Sequence, residues 1–311
     1  MKVLAFLAIA TLSVLPTHAT PARPKPRIEV VVLGSGGPRP FGRAASSYII
    51  VLDGTPRILV DAGPGAYVRL GELGIDLSRV DIILLTHLHI DHSSDLPAFL
   101  NARALTSDGP IQFRIFGPDG SKGDAQGAAE FPKTSRFVDV ILGDGGAFPY
   151  QRTFGAQETF VVKDLATDLH SAQTTIVEED GLRINEIATH HGDAPSIAYR
   201  ITYKGASVVF SGDMDVSAMP NLVELAKAAD LLVFNCAVLD PPKSPAQLYE
   251  LHSPPKRIGE AARDSRVKRL FLSHIAPDVE RSAAEVRSSI HTSYAGPVVF
   301  AHDRMRIAVR P

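Results

Sequence analysis

Metal-binding side chains are concentrated in one short stretch of the chain. From His87 to His92 the sequence reads HLHIDH, which places three histidines and one aspartate in six positions. Neutral imidazole is the commonest metal ligand among side chains, and carboxylate oxygens often complete such sites. A single histidine would more often be a hydrogen-bonded structural residue, but this spacing of four such groups favours a metal site.

The residues on either side of this stretch predict how it is positioned. Asp81–Thr86 (DIILLT) is mostly apolar or β-branched, which is typical of a short buried strand. Ser94 is predicted to cap a helix, and Pro97 then falls in the first turn, where its missing N–H breaks no helical hydrogen bond. The cluster is therefore expected at a strand-to-helix junction, where side chains can converge on a point.

Three later stretches carry similar side chains, each at the end of a predicted strand. They are THHGDAP with His190 and His191, FSGD with Asp213, and LSHIAP with His274. Each is a weak signal alone, because such a residue is more often at the surface or in a turn. Together they place metal-binding groups on one rim of the predicted sheets.

The N-terminus has the features of a secretory signal peptide over residues 1–19. It carries one positive charge, an apolar run from Val3 to Val14, and Thr-His-Ala before the expected cleavage after Ala19. The apolar run is too short for a lasting membrane anchor. We expect residues 20–27 to form a leader and the mature protein to be periplasmic or secreted. A buried N-terminal helix or strand is the alternative.

Composition limits the partners of the chain. The formal net charge of −2 argues against a broad electrostatic footprint for nucleic acid, so no dedicated nucleic-acid partner is expected. The one cysteine, Cys236, lies in an apolar stretch and is expected to be a buried, inert thiol. The sequence does not specify the oligomeric state.

Short β-rich runs alternate with helices in two successive rounds, which predicts two sheets packed face to face with helices outside. The middle of the chain, about residues 113–155, is rich in glycine and irregular, and is expected to form a loop or lid region. The GSGGP stretch, Gly34 to Pro38, lacks the spacing of a dinucleotide loop and precedes a strand. It is expected to bring the backbone close to a site, with a plain turn as the alternative.

These motifs resemble those of the metallo-β-lactamase superfamily, in its ribonuclease Z-like and arylsulfatase-like branches. The T-H-x-H-x-D-H pattern stands at residues 86–92, and SGD and the final histidine follow in the same order. GSGGP, LVDAGPG (59–65) and FGPDG (116–120) extend the likeness through nearly the whole mature chain. The resemblance implies an αββα sandwich of two mixed β-sheets flanked by helices, formed by a single domain over residues 28–311.

The resemblance also implies a ligand set for two Zn²⁺ ions, with other divalent metals as alternatives. One ion would be held by His87, His89 and His191, the other by Asp91, His92 and His274, and Asp213 would bridge them. His191 is favoured over His190 because H-G-x-x-P, which begins at His191 and is followed by AYRI, resembles the usual fourth-ligand motif. Asp61, in VDAG, is expected to orient a ligand histidine, with a turn cap as the alternative.

Two divalent metals about 3.5–4 Å apart make hydroxide available near neutral pH, which indicates hydrolysis. By resemblance, an aspartate at the bridging position disfavours a β-lactamase. A true tRNA-processing ribonuclease Z is disfavoured by the predicted export, the charge balance and the missing His-Glu-Ala-Thr stretch after Asp230. We therefore expect an exported dinuclear zinc hydrolase of small phosphodiester or aryl sulfate esters, acting through a metal-bridging hydroxide. The alternatives are a lactonase or other acyl-ester hydrolase, and a non-catalytic zinc-binding module.

Two residues are assigned to catalysis, Asp91 and His252. His252, in YELHSP, resembles the His-Ser-Thr motif of ribonuclease Z-like enzymes, although proline replaces the threonine. A positioned histidine could protonate the leaving group. A surface histidine is the alternative for this position.

Overall fold

The computed structural model describes residues 26–39, 41–107, 109–123, 127–152 and 157–310. The predicted signal peptide and most of the leader lie outside these residues, so cleavage after Ala19 stays a prediction. Within the described ranges, no helix has the length and apolar character needed to cross a bilayer.

Two seven-stranded mixed sheets form the centre of the molecule. The strands are β1 (Ile28–Gly34), β2 (Ser47–Leu52), β3 (Thr55–Ala62), β4 (Ile82–Leu84), β5 (Ile111–Pro118), β6 (Glu158–Leu165), β7 (Thr174–Glu179), β8 (Leu182–His191), β9 (Ala194–Tyr203), β10 (Ala206–Phe210), β11 (Leu231–Asn235), β12 (Leu270–Ser273), β13 (Val298–Phe300) and β14 (Arg306–Val309). The order in the first sheet is β14-β1-β2-β3-β4-β5-β6, and in the second β13-β12-β11-β10-β9-β8-β7.

Helices cover the outer face of each sheet. They are α1 (Ala66–Glu72), α2 (Ile90–Ser93), α3 (Leu96–Leu105), α4 (Thr134–Leu142), α5 (Met219–Leu225), α6 (Pro255–Asp264), α7 (Pro277–Arg281) and α8 (Ala283–His291). In α6, Ile258, Ala261 and Ala262 are buried at three- and four-residue spacing, which is the amphipathic pattern of a helix on a core.

Three apolar clusters separate these layers. One lies between the two sheets and contains Tyr199, Phe210 and Phe271, and the other two lie between each sheet and its helices. Burying one large apolar side chain contributes about 1.5–3 kcal/mol, so these clusters hold the four layers together. The predicted αββα sandwich of two mixed sheets is confirmed.

Parallel pairing brings several strand ends to one edge of the sandwich. β3, β4 and β5 are parallel neighbours in the first sheet, and β10, β11 and β12 are parallel neighbours in the second. Hydrogen bonds also join the sheets at this edge: the Ile197 N–H donates to the Thr86 carbonyl at 2.9 Å, and the Tyr199 hydroxyl donates to the Leu85 carbonyl at 2.9 Å. The loop after β4 is thereby fixed against β9.

The helix after the HLHIDH stretch begins differently from the prediction. The chain turns into α2 already at Ile90, and Ser94 is the C-terminal cap of this short helix. The next helix, α3, has Asp95 at its N-cap position and Pro97 in its first turn. The predicted capping role of Ser94 is therefore wrong, because the chain turns helical within the histidine cluster itself.

The predicted loop or lid region contains more regular structure than its glycine content indicates. Its start belongs to β5, and α4 buries Val138 and Leu142 against the outer face of the first sheet. Between these elements, the Phe131 ring lies 5.7 Å from the His89 ring, measured between centroids. Among the described residues of the predicted lid region, ring contact with the histidine cluster is made by Phe131.

Candidate metal centre

The seven predicted ligands lie together at the shared edge of the two sheets. His87 follows β4, His191 ends β8, Asp213 follows β10 and His274 follows β12. The remaining three, His89, Asp91 and His92, belong to the turn into α2. All are buried except His89, which is partly exposed. Metal binding by these residues stays a prediction, and the structure places them where one centre could use all seven.

Three imidazole nitrogens define the first ligand group. His89 Nδ1 lies 3.1 Å from His87 Nε2 and 3.3 Å from His191 Nε2. The Oδ2 atom of Asp213 lies 3.6 Å from His191 Nε2 and 3.9 Å from His87 Nε2. Three nitrogens this close, with a carboxylate beside them, form a compact pocket of electron-pair donors.

The second ligand group shares the same carboxylate. His274 Nε2 lies 3.1 Å from Asp91 Oδ2 and 3.2 Å from Asp213 Oδ2. His92 Nε2 lies 3.6 Å from Asp213 Oδ2 and 3.7 Å from Asp91 Oδ2. Asp213 Oδ2 therefore faces both groups, as the predicted bridging position requires.

The structure separates the two neighbouring histidines at the end of β8. His191 is buried, and its Nδ1 lies 2.8 Å from the Leu251 carbonyl, which leaves Nε2 aimed at the first group. The side chain of His190 is 44% exposed and turns away to Asp215, with 2.6 Å between Nδ1 and Oδ2. Adjacent residues of a strand point to opposite faces, so only one of the pair can reach the centre.

Asp61 orients one of the histidines in the way the sequence predicts. One carboxylate oxygen accepts the Thr86 N–H at 2.7 Å. The other oxygen accepts the Thr86 hydroxyl at 2.8 Å and lies 2.8 Å from His92 Nδ1. This contact keeps the proton of His92 on Nδ1 and leaves the Nε2 lone pair free for a ligand.

The GSGGP loop packs directly on another ligand. A Cβ atom built on Gly37 would lie 2.5 Å from His274 Cε1, so only glycine allows this approach. His274 Nδ1 is buried and has no hydrogen-bond partner in the described part of the chain. The loop is fixed by Asp303, which accepts hydrogen bonds from the backbone N–H groups of Ser35 and Ala44. The predicted close backbone approach is found here, and its target is His274.

Asn235 is a site residue that the sequence analysis did not identify. It ends β11, and its side-chain amide donates to Asp213 Oδ1 at 2.6 Å. The sequence feature that could have identified Asn235 is its position as a polar residue at the end of an apolar strand. This hydrogen bond fixes the Asp213 carboxylate so that Oδ2 points into the centre.

Burial and neighbouring charges act on the histidines in opposite directions. Burial, followed by the nearby rings of His92 and His191, holds the pKa of His87 well below its usual value. Burial also opposes protonation of His92, but the carboxylates of Asp61 and Asp213 outweigh it and hold the pKa of His92 well above its usual value. The carboxylates of Asp61 and Asp213 therefore make the surroundings of His92 favourable for a positive charge.

The donor atoms fit divalent metal ions. A tetrahedral zinc site with bonds of about 2.0–2.1 Å has edges of about 3.3 Å between ligand atoms, close to the spacings within both groups. His92 Nε2 is buried and has no hydrogen-bond partner among the described residues, although it points between two carboxylates. A buried nitrogen of this kind is costly unless a cation or proton satisfies it. Together these observations support a metal centre at this position.

His252 is buried beside the centre and is not a surface residue. Its ring lies 5.2 Å from that of His191 and 5.4 Å from that of His274, measured between centroids. Burial lowers the pKa of His252 to about 3, although Asp213 acts in the opposite direction. The surface alternative is thereby excluded, and the catalytic role stays a prediction.

Comparison with known proteins agrees with this geometry. A ribonuclease Z from Mycobacterium sp. (strain KMS) is 29% identical over 293 residues, which cover 91% of this chain and 97% of the relative. A ribonuclease Z from Mycobacterium bovis (strain BCG / Pasteur 1173P2) is 27% identical over 302 residues, covering 91% of this chain and 99% of the relative. These relatives contradict the expectation that the chain has no nucleic-acid partner. That expectation used the net charge of the whole chain, which does not reveal local groups of cations.

Solved structures show the same fold. A metallo-beta-lactamase fold protein from Bacillus subtilis has a TM-score of 0.66 at 19% identity, covering 90% of this chain and 98% of its own. The short form of human tRNase Z has a TM-score of 0.65 at 23% identity, covering 91% of this chain and all of its own.

The family model described as "Beta-lactamase superfamily domain" matches residues 56–275. This match includes all seven predicted ligands and the parallel strands β4, β5, β10, β11 and β12 at the edge where they lie. The chain belongs to the beta-lactamase superfamily of metallo-β-lactamase-fold hydrolases.

Proposed function

We propose that this protein is a two-zinc phosphodiesterase that acts on RNA-type phosphodiester bonds. The observation that carries the proposal is the pair of ligand groups that share Asp213 Oδ2. The ribonuclease Z relatives support a phosphodiester substrate over an aryl sulfate.

The residues present would hold one ion with His87, His89 and His191 and a second with Asp91, His92 and His274, and Asp213 would lie between them. Two such ions supply Lewis acidity that activates water and stabilises charge on the phosphoryl oxygens. The ligand spacings and the unpartnered His92 Nε2 support this loading.

The protein residues prepare the centre before any substrate arrives. Asp61 keeps His92 in the tautomer whose Nε2 lone pair points inward, and Asn235 holds the Asp213 carboxylate in place. Because both contacts are made by buried side chains, they need no rearrangement during the reaction, and such preorganisation lowers the barrier. Asp91 places a carboxylate 3.1 Å from His274 Nε2 and completes the negative lining of the second group.

His252 is placed to act on the leaving group. Its ring lies beside both ligand groups and lines the adjacent cavity, while its buried Nδ1 has no hydrogen-bond partner among the described residues. With its pKa lowered to about 3 by burial, it is a neutral imidazole near pH 7. A neutral ring can donate an N–H hydrogen bond to the departing oxygen and stabilise its developing charge without giving up the proton.

The test is a comparison of ester classes on zinc-loaded protein. Bis(p-nitrophenyl) phosphate, a short RNA oligonucleotide, p-nitrophenyl sulfate, a lactone and a β-lactam would be assayed side by side. We expect turnover of the two phosphodiesters to dominate. Full zinc content without phosphodiester turnover, or faster turnover of the lactone, would contradict the proposal.

The neighbouring histidines provide matched variants for this test. His191→Ala should lower zinc content and phosphodiester turnover, because it removes a ligand nitrogen. His190→Ala should keep both, since its side chain faces Asp215 and solvent. Asp213→Ala should lower both quantities, which also identifies any contaminating activity.

We also infer that the enzyme works outside the cytosol. The observation behind this proposal is the signal-peptide pattern of residues 1–19. N-terminal sequencing of the protein recovered from the periplasmic or culture fraction should begin at Thr20. Recovery of the full-length chain in the cytosolic fraction alone would contradict export.

A further inference from the structure

A cavity of about 420 Å³ opens beside the second ligand group. Its wall includes His252 and His274, so it is continuous with the metal centre. The rest of the wall comes mainly from the loop that follows β1 and from the segment that leads into α7. A volume of this size lies within the range of small-molecule sites and can enclose one ring-sized group.

The wall of the cavity is mainly apolar and includes one exposed aromatic ring. Leu248, Ile275 and Pro277 contribute apolar surface, and Phe41 stands at the wall with 59% of its surface exposed. An aromatic side chain left exposed next to a reactive centre provides a stacking surface for a planar ring. Such stacking is the usual way proteins hold the unpaired bases of single-stranded RNA.

Two arginines at the same cavity have no partner in the described part of the chain. Arg39 and Arg281 are exposed, and neither guanidinium makes a hydrogen bond or ion pair with the residues that the structure describes. The carboxylate in the wall, Asp278, accepts a hydrogen bond from the Ser244 hydroxyl at 3.1 Å. Guanidinium groups bind phosphate oxygens by paired hydrogen bonds, so this wall offers cation sites for phosphates near the scissile bond.

We propose that this cavity is a subsite for one unpaired nucleotide next to the scissile phosphodiester, with the base against Phe41 and a flanking phosphate on Arg39 and Arg281. This subsite rests on the proposed phosphodiesterase function, and it specifies which part of the RNA substrate the protein recognises. It also accounts for an RNA substrate on a chain whose net charge is −2, because the needed cations are local.

The local character of these charges makes a quantitative expectation possible. Each phosphate neutralised on a single strand contributes about −0.7 to the slope of log affinity against log salt. The one flanking phosphate therefore predicts a slope of about −0.7 for the contribution of this subsite. A protein that gripped a long folded RNA through many phosphates would show a much steeper dependence.

The first experiment compares two phosphodiesters with the same leaving group. One is the p-nitrophenyl ester of uridine 5′-monophosphate, and the other is the p-nitrophenyl ester of 1-deoxyribose 5-phosphate, which lacks only the base. We expect the base to raise kcat/KM by about 5- to 150-fold, the range that corresponds to one stacked base. Phe41→Leu should reduce this ratio at least several-fold, whereas Phe148→Leu, an exposed phenylalanine outside the cavity wall, should keep it.

The second experiment uses a uridine trinucleotide at several salt concentrations. Arg39→Gln and Arg281→Gln should each raise KM and flatten the salt slope, and the double variant should lose the whole contribution of about 0.7. Arg310→Gln, an exposed arginine near the end of β14, is the matched control and should change neither quantity. An unchanged slope in both cavity variants would overturn the phosphate contacts.

Direct binding separates this subsite from the proposed chemistry. If the zinc-loaded protein hydrolyses neither nitrophenyl ester, the proposed function fails, and calorimetric binding of uridine monophosphate still tests the cavity. Weaker binding by Phe41→Leu than by Phe148→Leu would support the subsite. Equal binding by both variants, or equal kcat/KM for the two esters in the unmodified protein, would overturn it.

Discussion

Replacing Asp61 with asparagine should weaken one metal site without removing any ligand. Asp61 is 2% exposed and accepts hydrogen bonds from the Thr86 backbone, the Thr86 hydroxyl and His92 Nδ1. The amide keeps one acceptor oxygen but places an N–H donor where the second oxygen stood. His92 must then present a lone pair at Nδ1, which moves its proton to Nε2, the atom that faces Asp213.

The expected loss follows from this forced tautomer. Changes to a carboxylate that orients a ligand histidine typically cost about 10- to 100-fold in metal affinity. Because Asp61→Asn reverses a hydrogen bond rather than simply deleting one, we expect about 100-fold, or about 2.7 kcal/mol. Backbone strain should not add to this loss: Asp61 has a φ of 54°, which asparagine also tolerates.

Competition with a chromophoric chelator would measure zinc affinity for each equivalent bound. In Asp61→Asn the affinity for one equivalent of zinc should fall, and the affinity for the other should stay nearly the same. The control is Asp230→Asn, which removes a carboxylate that is 3% exposed, bonded to Ser207 and remote from the centre. Two equivalents bound at the original affinity, or an equal loss in the control, would refute the orienting role of Asp61.

Three further predictions concern the loop, the leaving group and pH. Gly37→Ala should displace the His274 ring and lower the affinity for one metal ion, as measured by metal titration. Gly71→Ala is the control and should leave the affinity unchanged, because the space around its Cβ position is open. His252→Ala should keep both metals and lose rate mainly on esters with poor leaving groups, so an equal loss on nitrophenyl and alkyl esters would argue against its role. Burial raises the pKa of Glu158 from 4.5 to about 7, and neither carboxylate oxygen has a hydrogen-bond partner among the described residues. The folded chain then retains a proton that the unfolded chain releases, so stability should fall as pH rises from about 4.5 to about 7. Glu158→Gln should reduce this fall in stability. Urea midpoints of both proteins at pH 5, 6, 7 and 8 measure it, and a gap between the two midpoints that does not change with pH would contradict the prediction.

The clustering of the candidate site was partly predictable because the spacing of metal-binding side chains and their places at strand ends are local properties of a sequence; their division into two groups came from the family resemblance. The close packing of histidines from His87 to His92 and the position of Asp213 at a strand end needed no tertiary information. The separation of His190 from His191 depended on which face of β8 turns inward, a property of the sheet that the local pattern alone left open.

Other features depend on contacts between distant parts of the chain. The burial of His252 comes from packing against His191 and His274, which are far from it in the sequence. The local sequence around Ser94 also could not show that the helix would begin inside the metal-binding stretch. The prediction from net charge was wrong for a similar reason, because an overall value of −2 does not show that Arg39 and Arg281 lie at the same cavity.

The two halves of the chain meet at the metal centre, and this has a consequence for unfolding. His89 and His191 are 102 positions apart, and Asp91 and His274 are 183 positions apart. With the proposed metal loading, an ion at each group would act as a cross-link that closes a very long loop, in a chain whose one cysteine excludes an internal disulfide. For a covalent link across about 100 residues, the entropy removed from the unfolded chain corresponds to about 4.7 kcal/mol. Chelators should thus destabilise the fold as reducing agents destabilise disulfide-linked proteins, by returning conformational entropy to the unfolded chain.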